Sequence, residues 1–273
     1  MEVKVQHQQI IGGGSIHQAR LLETNQGAFF VKYSSEAMAA EMLDAEVDGL
    51  RQLAQNGSLP TPAILLHSHA EAQHFLVLEY IIPQQPNTRS WEHFGQGLAR
   101  LHRQSNASFG GGKSNFIGRL PQSNNPQDTW PAFYWAERIA PQLRLPQAQQ
   151  WLSTSDLNAF EAFRKRLPEL LPEEKPALIH GDLWSGNFLM GSKDQVYLID
   201  PAVGMANREM DLAMSRLFGG FAPRFYQSYE ESWPLVPGFE QRLDIYQLYY
   251  LLVHLNLFGA SYLGSVQNII QKY

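Results

Sequence analysis

The octapeptide His180-Gly181-Asp182-Leu183-Trp184-Ser185-Gly186-Asn187 constrains this chain more than any other stretch. It follows the apolar run Ala177-Leu178-Ile179, and a second run, Val196-Tyr197-Leu198-Ile199, ends at Asp200. Both runs read as short strands. Asp182 and Asn187 stand five positions apart, and Asp200 comes thirteen after Asn187. Taken singly, each residue has a plain reading: His-Gly-Asp as a turn, Asp200-Pro201 as a turn start, Asn187 after Gly186 as a left-handed residue. The joint order is the spacing of a phosphoryl-transfer site. That chemistry asks little covalent work of a protein. It needs a carboxylate beside the attacking hydroxyl, hard oxygen ligands for Mg²⁺ and a cation on the phosphates. One hairpin can supply the first two, with Asp182 as base and Asn187 with Asp200 as metal ligands. His180 reads as a hydrogen-bonding brace of the loop.

The cation is sought upstream. Phe29-Phe30-Val31-Lys32-Tyr33 is rich in strand formers, and Ala37 to Leu53 reads as a helix ending near Asn56-Gly57. Wound as a helix, Ala39, Met42, Leu43, Leu50 and Leu53 share one side, with Glu46 inside the apolar stripe. A carboxylate there calls for a partner, and Lys32 on the preceding strand is the nearest candidate. A strand Lys paired with a helix Glu is the arrangement that grips ATP phosphates in protein kinases. The plain alternative is a Glu at a lobe edge, reaching water.

Ahead of these, Ile10-Ile11, the glycine turn Gly12-Gly13-Gly14-Ser15 and Leu21-Leu22 read as strand, turn, strand. The turn matches neither G-x-G-x-x-G nor a Walker A loop, and it stays open between a phosphate cover and a simple hairpin. Phe75-Leu76-Val77-Leu78-Glu79-Tyr80 is a further strand, after which Pro83 and Pro86 break the pattern. The expected boundary therefore falls at about residue 82, with a β-rich lobe at 1–82 and a mostly helical one at 83–273. In the second lobe Trp91, Phe94, Leu98 and Leu101 recur at helical spacing behind Ser90 as N-cap. Residues 110–127, rich in Gly, Asn, Ser and Pro, read as a long surface loop. The chain from Glu209 to Lys272 reads as helical, with Pro234 and Pro237 between segments.

Composition narrows the function further. Lys and Arg number 21 against 26 Asp and Glu, a net charge of −5, which argues against a general nucleic-acid binder. There is no cysteine, so disulfides, thiolate catalysis and Cys-ligated zinc are excluded. Met1-Glu2-Val3-Lys4 opens no apolar signal region, and Leu248–Val253 falls well short of the ~18 apolar residues of a membrane span. The expectation is a cytoplasmic protein with no nucleic-acid or membrane partner.

Over nearly its whole length the chain resembles the fructosamine kinase (ketosamine-3-kinase) family, relatives of aminoglycoside phosphotransferases. The resemblance rests on Gly12–Ile16, Asn115-Phe116-Ile117-Gly118, the His180–Asn187 loop with Trp184, and Asp200-Pro201. Arg208-Glu209, Asp211-Leu212-Ala213, Leu217–Phe221 and His254–Phe258 add to it. It implies an α+β, two-lobed, protein-kinase-like fold and ATP- and Mg²⁺-dependent phosphorylation of a ketosamine sugar hydroxyl, as in deglycation. Carried over, Asp182 is the base and Asn187 and Asp200 hold the metal. ATP is met by Lys32 and Glu46, by the turn residues Gly13, Gly14 and Ser15, and by Glu79, Tyr80 and Ile81 along adenine. Trp184 is open between stacking on the sugar and packing within the loop. His180, Arg208, Glu209 and Asp211 brace the catalytic loop. The cysteine that some members carry in the glycine turn is absent. Only ten residues separate Asp200 from Asp211, none of them Ser or Thr, so no phosphorylatable activation segment fits there. Two alternatives remain at this point: an aminoglycoside, choline or homoserine type of kinase, and a silent nucleotide-binding module.

Overall fold

A computed structural model describes residues 3–11 and 18–273. Gly13, Gly14 and Ser15 lie outside the described residues, and so does the expectation attached to them.

The N-terminal part is one antiparallel sheet, ordered β1-β2-β3-β5-β4, with a helix across it. Its strands are β1 (Val5–Ile10), β2 (Gln18–Thr24), β3 (Gly27–Ser34), β4 (Ile64–Ala70) and β5 (Gln73–Glu79). Helix α1 (Ala39–Asn56) joins β3 to β4. Leu43, Val47 and Leu50 recur at helical spacing and bury against Leu76 and Leu78 of β5. Each such side chain contributes roughly 1.5–3 kcal/mol. Gly57 ends α1 in the left-handed region (φ 68°), its N–H bonding Ala54 O at 3.0 Å. β4 was not expected. It is an edge strand whose register slips between Ile64 and Leu66, and His67-Ser68-His69 break its apolar alternation.

The rest is mainly helical, so the α+β, two-lobed expectation holds. Helix α2 (Thr88–His102) starts earlier than Ser90 implied. Asn87 is the N-cap: its Oδ1 accepts the amides of Arg89 and Ser90, while the Ser90 hydroxyl accepts the Asn87 amide at 2.9 Å. Ser90 is thus the third residue of a capping box. The expected 110–127 surface loop is also corrected. It contains the hairpin β6 (Asn115–Ile117) and β7 (Leu120–Gln122), and Asn115, Gln122 and Asn124 are buried.

Then follow α3 (Trp130–Phe133), a π-helical segment (Tyr134–Ile139), α4 (Ala140–Leu143), α5 (Pro146–Trp151) and α6 (Thr154–Leu170). Two small ladders carry the central motif: β8 (Ala177–Ile179) pairs with β11 (Gly204–Ala206), and β9 (Phe188–Met190) with β10 (Val196–Leu198). Helices α7 (Glu209–Leu217), α8 (Pro223–Ser232), α9 (Phe239–Phe258) and α10 (Leu263–Ile270) complete the chain. Helix α9 is apolar nearly all round and runs through the core, as such a pattern requires. Helices α2 and α8 approach closely at Gly95, where any Cβ would collide with the Phe225 carbonyl. A main-chain bond joins the lobes, Leu198 N–H to Pro60 O at 2.9 Å, and just past the boundary Gln84 N–H bonds Met190 O at 2.7 Å. Among the described residues no helix is long and apolar enough to cross a membrane.

Candidate active site

A cleft of about 570 Å³ opens between the sheet and the helical lobe. Lys32, Glu46, Glu79, Tyr80, Ile81, Asp182, Trp184, Asn187 and Asp200 all line it. Those nine come from five separate stretches of chain. Phe30, Met42, Leu78, Phe116, Gly118, Leu189 and Ile199 also line it, giving it apolar walls that were not singled out from the sequence. Phe116 and Gly118 were legible only as part of a family stretch.

The polar end is built from short connections. Lys32 Nζ lies 2.8 Å from Glu46 Oε1 and also bonds Asp200 Oδ1. Burial by itself disfavours the ammonium, yet the two carboxylates outweigh it and hold Lys32 charged well above its ordinary range. Asp200 is held below the usual carboxylate range: Lys32 overcomes the burial that opposes ionisation. Glu46 is pushed up, first by burial and then by Asp200, because two carboxylates crowd one ammonium. Asp200 takes a left-handed backbone (φ 51°), uncommon for a residue with a side chain and frequent at functional sites.

Asp182 sits on the loop between β8 and β9. Asn187 Nδ2 donates to the Asp182 carbonyl at 2.8 Å and to Asp182 Oδ2 at 2.9 Å. Burial pushes the Asp182 carboxyl up to about 7; the Asn187 bond opposes this, and the charges of Asp200 and Asp211 add to it. Gly181, one position earlier, needs to be glycine: its φ is 85° and a Cβ would strike the Ala202 carbonyl. Trp184 is 37% exposed at the cleft mouth, its ring packed over Gly186.

The expected braces divide. His180 Nε2 donates to the Ile199 carbonyl at 2.9 Å, and its Nδ1 accepts the Asp182 amide at 3.2 Å, which fixes a neutral tautomer. Burial lowers its pKa in keeping with that. Asp211, with no exposed surface, accepts the amides of His180 (2.7 Å) and Gly181 (2.8 Å). Its Oδ2 also takes His102 Nε2 at 3.1 Å, a partner on α2 not anticipated from the sequence. Arg208 and Glu209 do not touch the catalytic loop. Arg208 bonds Glu174 and the carbonyls of Trp233 and Pro234, while Glu209 forms a two-pronged pair with Arg242. Glu209 ties α7 to α9, and Arg208, the residue before α7, ties its start to Glu174 and to the turn before α9, with Nη1 3.5 Å from the Tyr229 hydroxyl that also meets His102.

A sequence model of the fructosamine kinase family matches residues 1–273. The chain belongs to the fructosamine kinase family. It is 35% identical over 263 residues to a probable ketoamine kinase of Enterococcus faecium, covering 96% of this chain and 93% of that one. It is 32% identical over 288 residues to the ketosamine-3-kinase of Mus musculus, covering 96% and 93%. A solved structure from Thermobifida fusca, carrying a provisional fructosamine-3-kinase name, superposes with a TM-score of 0.87 at 34% identity, over 98% of this chain and 93% of that one. More distantly, the aminoglycoside phosphotransferase APH(4)-Ia in complex with ADP and hygromycin B shares the fold, with a TM-score of 0.66 at 15% identity over 98% and 94% of the chains. Family and fold make this chain an ATP-dependent phosphotransferase.

Within this fructosamine kinase the donor set can be tested against Mg²⁺. Asn187 spends its amide nitrogen on Asp182, which leaves its Oδ1 as a hard acceptor, and Asp200 adds a carboxylate on the cleft wall. No cluster of three His, Asp or Glu that could hold a metal occurs among the described residues. Two oxygen ligands plus nucleotide phosphates is how Mg²⁺ is ordinarily held, so the residues fit that ion and not a self-sufficient metal cage.

Proposed function

We propose that this chain transfers the terminal phosphoryl group of ATP to a sugar hydroxyl of a ketosamine, the 3-hydroxyl in the family, as a deglycation kinase. The convergence of Lys32, Asp182, Asn187 and Asp200 on one interlobe cleft, in a chain one-third identical to a ketosamine-3-kinase, carries this reading. The cleft would take the adenine against Ile81, whose backbone amide has no partner among the described residues. The boundary between the lobes is assigned to about residue 82, within the stretch 80–87 between β5 and α2, of which Tyr80, Ile81 and Pro83 line the cleft.

Asp182 accepts the proton of the attacking hydroxyl as that oxygen bonds to the γ-phosphorus and the bridging oxygen departs with ADP. Lys32 holds the phosphates, itself held by Glu46. Asn187 and Asp200 would hold Mg²⁺, which supplies charge neutralisation on the phosphates. His180 and Asp211 fix the loop that carries the base. Trp184 offers an aromatic face at the mouth for the sugar.

A coupled ADP assay with Mg-ATP and either a ribulosamine or a fructosamine tests the assignment. Turnover is expected on at least one of them, and aminoglycosides, choline and homoserine are expected to be poorer by kcat/KM. An enzyme that releases ADP only with one of those three acceptors overturns it.

The raised Asp182 carboxyl adds a pH prediction. The acceptor kcat/KM should fall below a midpoint near pH 7, because the protonated acid cannot take the hydroxyl proton. The slope should approach tenfold per pH unit on the acid side. A profile flat from pH 5 to pH 8 contradicts the role given to Asp182.

A further inference from the structure

Helix α1 carries Glu46, so whatever fixes α1 fixes the grip on Lys32. Three observations bear on what fixes it. One helical turn after Glu46 stands Gly49, buried in the middle of α1. A Cβ placed there would lie 2.9 Å from Pro201 Cγ, 3.5 Å from Pro201 Cβ and 3.6 Å from its carbonyl oxygen. Pro201 is the residue after Asp200. The Lys32 partners Glu46 and Asp200 are therefore joined a second time, by direct contact of the backbone of α1 with the Pro201 ring. Glycine is the poorest helix former after proline, and a mid-helix glycine in van der Waals contact with another element has a packing reason.

The second fastener is the β6–β7 hairpin. On one side Asn115 Nδ2 bonds Val203 O at 2.7 Å and Gln122 Nε2 bonds Ala202 O at 3.3 Å, so the hairpin is fixed to the strand that leaves Pro201. Tyr249 of α9 donates to Gln122 Oε1 at 2.5 Å from behind. On the other side Lys113, two residues before β6, reaches Asp48 of α1 with Nζ at 2.6 Å. The segment 113–122 thus spans from the helical lobe to α1.

We propose that Gly49 and the Lys113–Asp48 link are positioning residues that lock α1 against the Asp200–Pro201 turn, so that the Lys32–Glu46 pair is built into the resting fold. No phosphorylation or partner is then needed to bring α1 in, which agrees with the ten-residue span from Asp200 to Asp211 that holds no Ser or Thr. The inference rests on the kinase reading only in taking Mg-ATP as the ligand.

Calorimetric titration of the full chain with Mg-ATP, without acceptor, tests it. On helix propensity alone Gly49→Ala should raise the melting temperature and leave binding untouched. Here the added methyl pushes α1 off Pro201, and Mg-ATP affinity is expected to fall about fivefold or more, the range of an overpacked contact. Gln52→Ala, on the exposed side of the same helix, should stay within about twofold, as surface changes usually do. In Gly49→Ala with Pro201→Ala the affinity should return to that of Pro201→Ala alone, the non-additivity expected of touching residues. A Gly49→Ala protein that binds like wild type overturns the proposal, and so does a double variant with no recovery. Should Gly49→Ala fail to fold, Asp48→Asn decides: about a two- to fivefold loss supports the lock, in keeping with an exposed ion pair, and unchanged binding overturns it. Wild-type protein that binds Mg-ATP yet phosphorylates no ketosamine defeats the substrate assignment and leaves the lock standing.

Discussion

Asp182→Asn is expected to lower kcat by about 10²–10⁴-fold, the usual worth of a positioned general base. The substitution keeps the shape and the bond to Asn187, because an Asn side-chain oxygen can accept from Nδ2 where Oδ2 now does. Mg-ATP affinity should therefore change little, and the loss should appear in kcat. The same variant should gain stability, with a definite pH signature. In the fold the Asp182 carboxyl is raised to about 7, whereas an unfolded aspartate titrates near ~3.9. Below about pH 4 both states are protonated and the residue contributes nothing. Between there and about pH 7 the unfolded chain ionises while the fold resists, so stability drains away. Above pH 7 the deficit is constant. Asn removes it, so the melting temperature of Asp182→Asn should exceed wild type at pH 8 and match it near pH 4. A variant that loses activity and stability together at pH 8 marks Asp182 as a structural acid and ends its assignment as base.

The second large effect is on folding. Asp211→Ala should lower unfolding free energy by about 3–5 kcal/mol, the range for removing one partner of a buried charged network. Three donors lose their acceptor at once: the amides of His180 and Gly181 and the Nε2 of His102. All lie at buried residues, so water does not replace the carboxylate at no cost. Typical domains hold only 5–15 kcal/mol in total, so the midpoint of urea unfolding should move far to the left. Asp211→Asn keeps one acceptor and should fall between. A loss under about 1 kcal/mol contradicts the account of Asp211 as the anchor of the catalytic loop.

The parts of the site that were legible in the sequence are those where chemistry and local period coincide. The Asp182–Asn187 spacing lies within one loop, and Glu46 announced its partner by sitting in an apolar stripe of α1. What stayed hidden depended on residues far apart in the chain. His102 and Asp211 are separated by 109 positions and no local pattern links them. The 110–127 stretch misled because Asn and Gln usually mean solvent. Asn115 and Gln122 are instead buried and bond to carbonyls of residues 202 and 203, which cannot be read without the tertiary fold. Arg208 and Glu209 were grouped with Asp211 by adjacency, but Arg208 precedes α7 and meets Asp211 by way of Tyr229 and His102, while Glu209, two helical positions away, points about 200° from it.

One link between the two lobes needs no particular side chain. Leu198 to Pro60 is a bond between peptide groups, and any residue except proline at 198 can make it. Side-chain exchange at the cleft mouth around Trp184 therefore leaves that bond in place, and this part of the seam is indifferent to sequence drift.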